Sequence, residues 1–134
     1  MKVKEKYDML KKEKSDFLVL FKVGSFYTTY GNDALLLNYL FSYQIKNDKL
    51  GFPISALNKV LFELEQKKIS YLIVSDEENH EKCFDDNQYF SYLNLTQEFY
   101  YHKMSMDLLF QRIELLIHKD PDNYSKIKRF IDGL

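Results

Sequence analysis

The sequence is short of the features that mark several large classes of protein. It has one cysteine, Cys83, so no internal disulfide framework can form, and a single thiol fits a reducing compartment. It has two arginines, Arg112 and Arg129. That scarcity counts against reading of base edges, where arginine on guanine is the commonest specific contact. No apolar run approaches the roughly 20 residues that a membrane span needs. The start, MKVKEK, is charged and lacks the apolar region of a secretory signal. The expectation is a soluble, cytoplasmic protein with no membrane partner. Catalytic groups are missing too. His80, His102 and His118 are scattered, with no nucleophile, base and orienter in sight. No G-x-x-x-x-G-K-[ST] loop for nucleotide phosphates occurs. His80 and Cys83 sit among six acids in DEENHEKCFDDN, residues 76–87, without metal-ligand spacing. That segment reads as a solvated acidic loop. The expectation is no metal, no cofactor and no enzymatic activity.

What remains is a chain of 134 residues, 46% hydrophobic and 16% aromatic, which argues against disorder. Its length suits one domain, able to bury roughly two thirds of its unfolded surface. The net charge of −1 hides an asymmetry. Residues 1–75 hold twelve lysines and eight acids, a net of +4; residues 76–134 hold seven basic and twelve acidic side chains, a net of −5. The basic half is either an ordinary solvated surface or one that meets phosphates.

The informative stretch is FLVLFKVGSFYTTYGNDA, Phe17 to Ala34. Phe17–Val23 is a short run of bulky and β-branched residues that stops at Gly24, the pattern of a buried strand. Phe26–Tyr30 is a second strand by composition. The two pair across Gly24-Ser25. Alternation sets Phe26, Thr28 and Tyr30 on one face and Tyr27 and Thr29 on the other. Asn32 or Asp33 can cap a following helix, 33–43, which is apolar nearly all round. Before this stretch, residues 2–14 form a helix made basic by Lys4, Lys6, Lys11, Lys12 and Lys14. It either faces phosphates or is simply solvated.

Further on, Gln44-Ile45-Lys46 and Leu50-Gly51-Phe52 read as a hairpin around Asn47-Asp48-Lys49. Ser55 can cap a helix over Ala56–Lys68, whose Leu57, Val60, Leu61 and Leu64 recur at helical spacing. Ser70–Ser75 is a buried strand, and Gln88–Leu95 alternates as a last one. The fold expected over residues 1–95 is α/β, or α+β: a mixed sheet of five to six strands packed with helices. In residues 96–134 Thr96 caps a long helix to about His118, and Asp120-Pro121 restarts a second one. Met106, Leu109, Phe110, Ile113, Leu116 and Ile117 make an apolar stripe on this helical hairpin. The stripe either covers the domain's own sheet or forms a homodimer interface.

Lys22-Val23-Gly24-Ser25-Phe26-Tyr27, followed by Tyr30-Gly31-Asn32-Asp33-Ala34, resembles the N-terminal mismatch-recognition domain of the MutS DNA-repair family. Tyr7, Leu10 and Lys11 fit that domain's leading helix. Gly51-Phe52-Pro53 and Leu57, Val60, Leu61 and Leu64 fit its next strand and helix, and Tyr71-Leu72-Ile73-Val74 the strand after. The resemblance covers roughly the first 75 residues. It implies a stand-alone DNA-binding module without the family's clamp, lever and ATPase regions. It implies that Phe26 is a wedge beside a mispaired base. As plain structure, Phe26 would be one more core aromatic. Where the family's motif has a glutamate that bonds the base, this chain has Thr28. A neutral hydroxyl bonds about half as strongly as a carboxylate, so strict mismatch specificity is not expected. The expected interface is Phe26, Tyr27, Thr28 and Tyr30, with Lys22, Lys11 and Lys12 on phosphates of double- or single-stranded DNA. The competing expectation is a protein-interaction module that kept the fold and lost DNA contact.

Overall fold

A computed structural model describes residues 2–134. The elements in chain order are α1 (Val3–Glu13), β1 (Leu18–Val23), β2 (Phe26–Tyr30), α2 (Gly31–Phe41), β3 (Ile45–Lys46) and β4 (Lys49–Pro53). A 3₁₀ turn (Ile54–Ala56) leads into α3 (Leu57–Gln66). Then come β5 (Tyr71–Val74), β6 (His80–Lys82), α4 (Tyr89–Lys119) and α5 (Asp122–Asp132). The strands form one sheet in the order β3-β4-β2-β1-β5-β6. Only β1 and β5 run parallel; every other neighbour pair is antiparallel. The chain divides into two compact units, one up to Thr96 and one from Gln97 to Leu134.

Turn chemistry sets the two hairpins. Gly24 has a φ of +59° while Ser25 stays out of the left-handed region, as a two-residue type II′ turn requires. Asn47 and Asp48 both have positive φ, 53° and 63°, the requirement of type I′. Strand alternation then assigns the faces. Leu18 and Leu20 of β1, Leu50 and Phe52 of β4, and Tyr71 and Ile73 of β5 point into the main core. There they meet Leu36 and Leu37 of α2, Val60 and Leu64 of α3, and Tyr89 and Leu93 of α4. Val19, Phe21, Tyr30 and Leu72 point to the other face, where Tyr7 of α1 seals a smaller cluster with Phe17. Helix α1 therefore lies over β1 and the Tyr30 end of β2 on that second face.

The two layers are joined at Asp33, in the first turn of α2 and fully buried. Its Oδ2 lies 2.7 Å from the Tyr7 hydroxyl and accepts from the Val19 amide at 3.1 Å. Its Oδ1 accepts from the Tyr89 hydroxyl at 2.5 Å and from Lys11 Nζ at 3.2 Å. Tyr7 Oη is also 2.9 Å from the Tyr30 carbonyl, but its single proton is held more strongly by the carboxylate. Asn32 or Asp33 was expected to cap α2, but the helix starts at Gly31, before both, with no side-chain cap bond. The Asp33 side chain instead turns inward, still at the helix end where negative charge is favoured.

Four other local expectations are corrected. Gln88–Leu95 is the start of α4 and not a strand. The Asn87 side chain accepts from both Ser70 N and Tyr89 N, and Tyr89, Leu93 and Thr96 are buried at helical spacing. Thr96 lies inside that helix and donates to the Tyr92 carbonyl instead of capping. Ser55 falls within the 3₁₀ turn and caps nothing, because α3 starts at Leu57. The acidic loop contains the short strand β6, tied down by Lys14–Glu81 and Lys82–Glu65. At the restart, Asp120 Oδ1 accepts from Asp122 N, and Asn123 bonds the Leu116 carbonyl. No described helix is long and apolar enough to cross a membrane.

Asp33→Ala is expected to cost about 3–5 kcal/mol, the usual result of stripping one partner from a buried ion pair. A urea-denaturation midpoint unchanged from the parent would contradict this. Burial, and then the neighbouring Asp33, push the hydroxyls of Tyr7 and Tyr89 far above the ordinary tyrosine range. Burial and the bond to Glu65 push Tyr71 to about 12. These groups bind protons more tightly folded than unfolded. Their stabilisation is complete below about pH 10 and is lost as pH rises beyond it. Unfolding midpoints should therefore fall steeply above about pH 10, and Tyr7→Phe with Tyr89→Phe should flatten the fall.

Candidate nucleic-acid interface

Directly opposed residues of paired antiparallel strands put their side chains on the same face. The registers Val23↔Phe26, Phe26↔Pro53, Thr28↔Gly51, Tyr30↔Lys49 and Lys46↔Lys49 thus set one row of residues on the face that α1 covers only in part. Phe26, Pro53, Gly51, Lys49 and Lys46 on this row are all exposed. The β4–β3 edge of that face is therefore open, with the phenyl ring of Phe26 at one end and two lysines at the other, while Thr28 and Tyr30 of β2 are buried. The span from Phe26 to the Lys49 position is four strand residues, about 13 Å at the usual rise. Between them Gly51 presents no side chain, so the surface there is shallow.

Phe26 is 50% exposed, beside the two-residue turn. Val23 and Ile54 are exposed with it, and Ile54 N donates to the Ser25 carbonyl, fastening the 3₁₀ turn against the hairpin tip. This apolar tip stays in water while the fold buries twenty other hydrophobic side chains. Phe26 is therefore not the core aromatic that the alternative expected.

The other expected residues separate. Thr28 is only 4% exposed, and its hydroxyl donates weakly to the Phe21 carbonyl at 3.4 Å. Tyr30 is buried with its ring 5.2 Å from that of Tyr7. Tyr27 is half-buried on the opposite face, stacked on Phe52. None of these three shares the open surface of Phe26. Lys11 is also corrected: its ammonium is spent on the Phe17 carbonyl at 2.5 Å, on Asp33 and on the Tyr89 hydroxyl. Lys12 and Lys22 are exposed and in no ion pair among the described residues. Lys22, opposite Tyr27, projects from the face away from Phe26.

Lys46 and Lys49 were missed by sequence reasoning. They stand directly opposite each other across the type I′ turn and line an open groove with Tyr43, Gln44 and Gly51. Like charges opposed in this way destabilise a sheet, and neither lysine has an acidic partner among the described residues. The signal was present in K-N-D-K, since a two-residue turn forces its flanking residues to face one another. Among the described residues no group of His, Cys, Asp and Glu could hold a metal ion.

The fold is thus a mixed α/β sheet with an aromatic hairpin tip left in water beside an exposed pair of lysines. The family model for MutS domain I matches residues 2–93, and the chain belongs to that family. Comparison with curated proteins finds none that matches.

Phe26→Ala should change folding stability by no more than about 0.5 kcal/mol, as expected of an exposed site. Thr28→Glu, which restores the residue type implied by the family motif, should destabilise markedly because the carboxylate would be buried without a partner. Parallel urea melts of the two variants decide the point, and a stable Thr28→Glu protein would contradict the burial.

Proposed function

We propose that the domain is a non-enzymatic, cytoplasmic DNA-binding module related to mismatch repair. Phe26 wedges or stacks at a base step, and Lys46 and Lys49 neutralise phosphates along the same open face. One observation carries the reading: a half-exposed phenylalanine and an unneutralised lysine pair share one uncovered sheet surface. An apolar side chain at a hairpin tip can enter a widened minor groove and partly unstack a step. Membership of the MutS domain I family supports DNA as the partner. The buried Thr28 supplies no base contact, so preference follows deformability or unpaired bases and not the identity of a mismatch.

A second reading, a protein-interaction module that has lost DNA contact, is favoured by one feature. Lys4, Lys11, Lys14, Lys67, Lys68 and Lys82 are all neutralised in ion pairs, which weakens the basic field of this unit.

Fluorescence anisotropy with labelled matched, mismatched and single-stranded DNA tests both. Phe26→Ala should weaken binding by about 1–3 kcal/mol, the worth of one base stacked on an aromatic ring. Lys46→Ala with Lys49→Ala should lower the salt slope of log K by about 2. Absence of binding at low salt would remove the DNA reading and leave the second.

A further inference from the structure

The segment Gln97–Leu134 has thirty-eight residues, and not one of its side chains is fully buried. Its half-buried apolar positions are Ile113 and Ile117 on α4 and Ile127 on α5. Units below about 40 residues usually need a disulfide, a metal or an oligomeric partner to hold their shape. The only cysteine, Cys83, is outside the segment, and the described residues hold no metal-binding group.

The free surface of α4 has a pattern of its own. Tyr101, Met104, Leu108, Leu109, Leu115 and Leu116 are each between 41% and 70% exposed. At 3.6 residues per turn they fall within an arc of about 140°. Ile113 lies about 40° outside that arc and Ile117 about 80° outside it. Of the stripe expected from the sequence, Leu109 and Leu116 lie within the arc, Ile113 and Ile117 are half-buried, and Met106 and Phe110 are exposed beyond it.

We propose that this face docks on the same face of a second copy of the chain, with the two α4 helices antiparallel about a two-fold axis between Leu108 and Leu109. The placement of residues about that axis is the argument. Leu108 meets Leu109 of the other copy, and Tyr101 meets Leu116. Ser105 meets Arg112, so no like charges oppose. At the ends Glu98 meets Lys119 of the other copy, and by symmetry this ion pair forms twice. Glu98 and Lys119 are exposed and in no ion pair among the described residues. The segment has six acidic and six basic residues. It neither repels a copy of itself nor attracts a polyanion. A two-fold interface of this kind is self-complementary and closed.

Sedimentation velocity of the intact protein across micromolar concentrations tests the proposal. The expected species is a dimer of twice 16.1 kDa. Leu108→Glu should raise the dissociation constant at least about hundredfold, since it sets two carboxylates into the apolar centre of the face. Glu98→Lys, a surface change that leaves folding intact, should raise it about tenfold by opposing like charges at both ends. Glu98→Lys with Lys119→Glu should return it to near the parent value. A parent protein monomeric at all concentrations overturns the proposal. A double variant no tighter than Glu98→Lys alone overturns the antiparallel register. DNA affinity of the Leu108→Glu protein, read beside its Phe26→Ala derivative, keeps this result separate from that of the DNA reading.

Discussion

The carboxylate of Asp33 is the constraint on which the first 96 residues depend. It is fully buried, and such a charge is tolerated only where donors surround it. Here they come from every direction: Tyr7 and Lys11 from α1, the Val19 amide from β1 and Tyr89 from α4. One side chain on α2 therefore ties three other elements together. It holds α1 over β1 and the Tyr30 end of β2.

The open face follows from that limit. Because α1 ends its coverage at Tyr30 and Phe21, the row from Phe26 through Gly51 to Lys46 stays in water. A fold free to optimise stability alone would cover a phenyl ring and separate two facing lysines. This one does neither, and such local departures concentrate where proteins bind their partners. Three lysines in or beside the basic first helix are engaged within the chain, one of them by the Asp33 hub. Lys11 is spent internally, Lys4 pairs with Asp8, and Lys14 pairs with Glu81.

Much of the architecture was legible along the chain. Gly24-Ser25 and Asn47-Asp48 announce two-residue turns, and those turns fix which residues face each other. The alternation after Gly24 separates Phe26 from Tyr27 correctly. The family resemblance rests on the same local signals. Residues 88–95 were misread because Y-F-S-Y-L-N-L satisfies a period of two and a period near four equally well. Only the buried spacing of Tyr89, Leu93 and Thr96 separates them.

Periodicity, turn type and charge balance are properties of neighbouring residues, so the sequence alone determined β1, β2, β4 and β5, the two hairpins and the side of the sheet on which Phe26 lies. Whether that side is covered was decided in three dimensions. Exposure is a property of what packs on a residue, and the packing here depends on bonds between residues far apart, such as Tyr89 and Asp33, 56 positions from each other. The same holds for the fate of Lys11, Thr28 and Tyr30. Their chemistry could be read from the chain, but their availability depended on partners that only folding brought near.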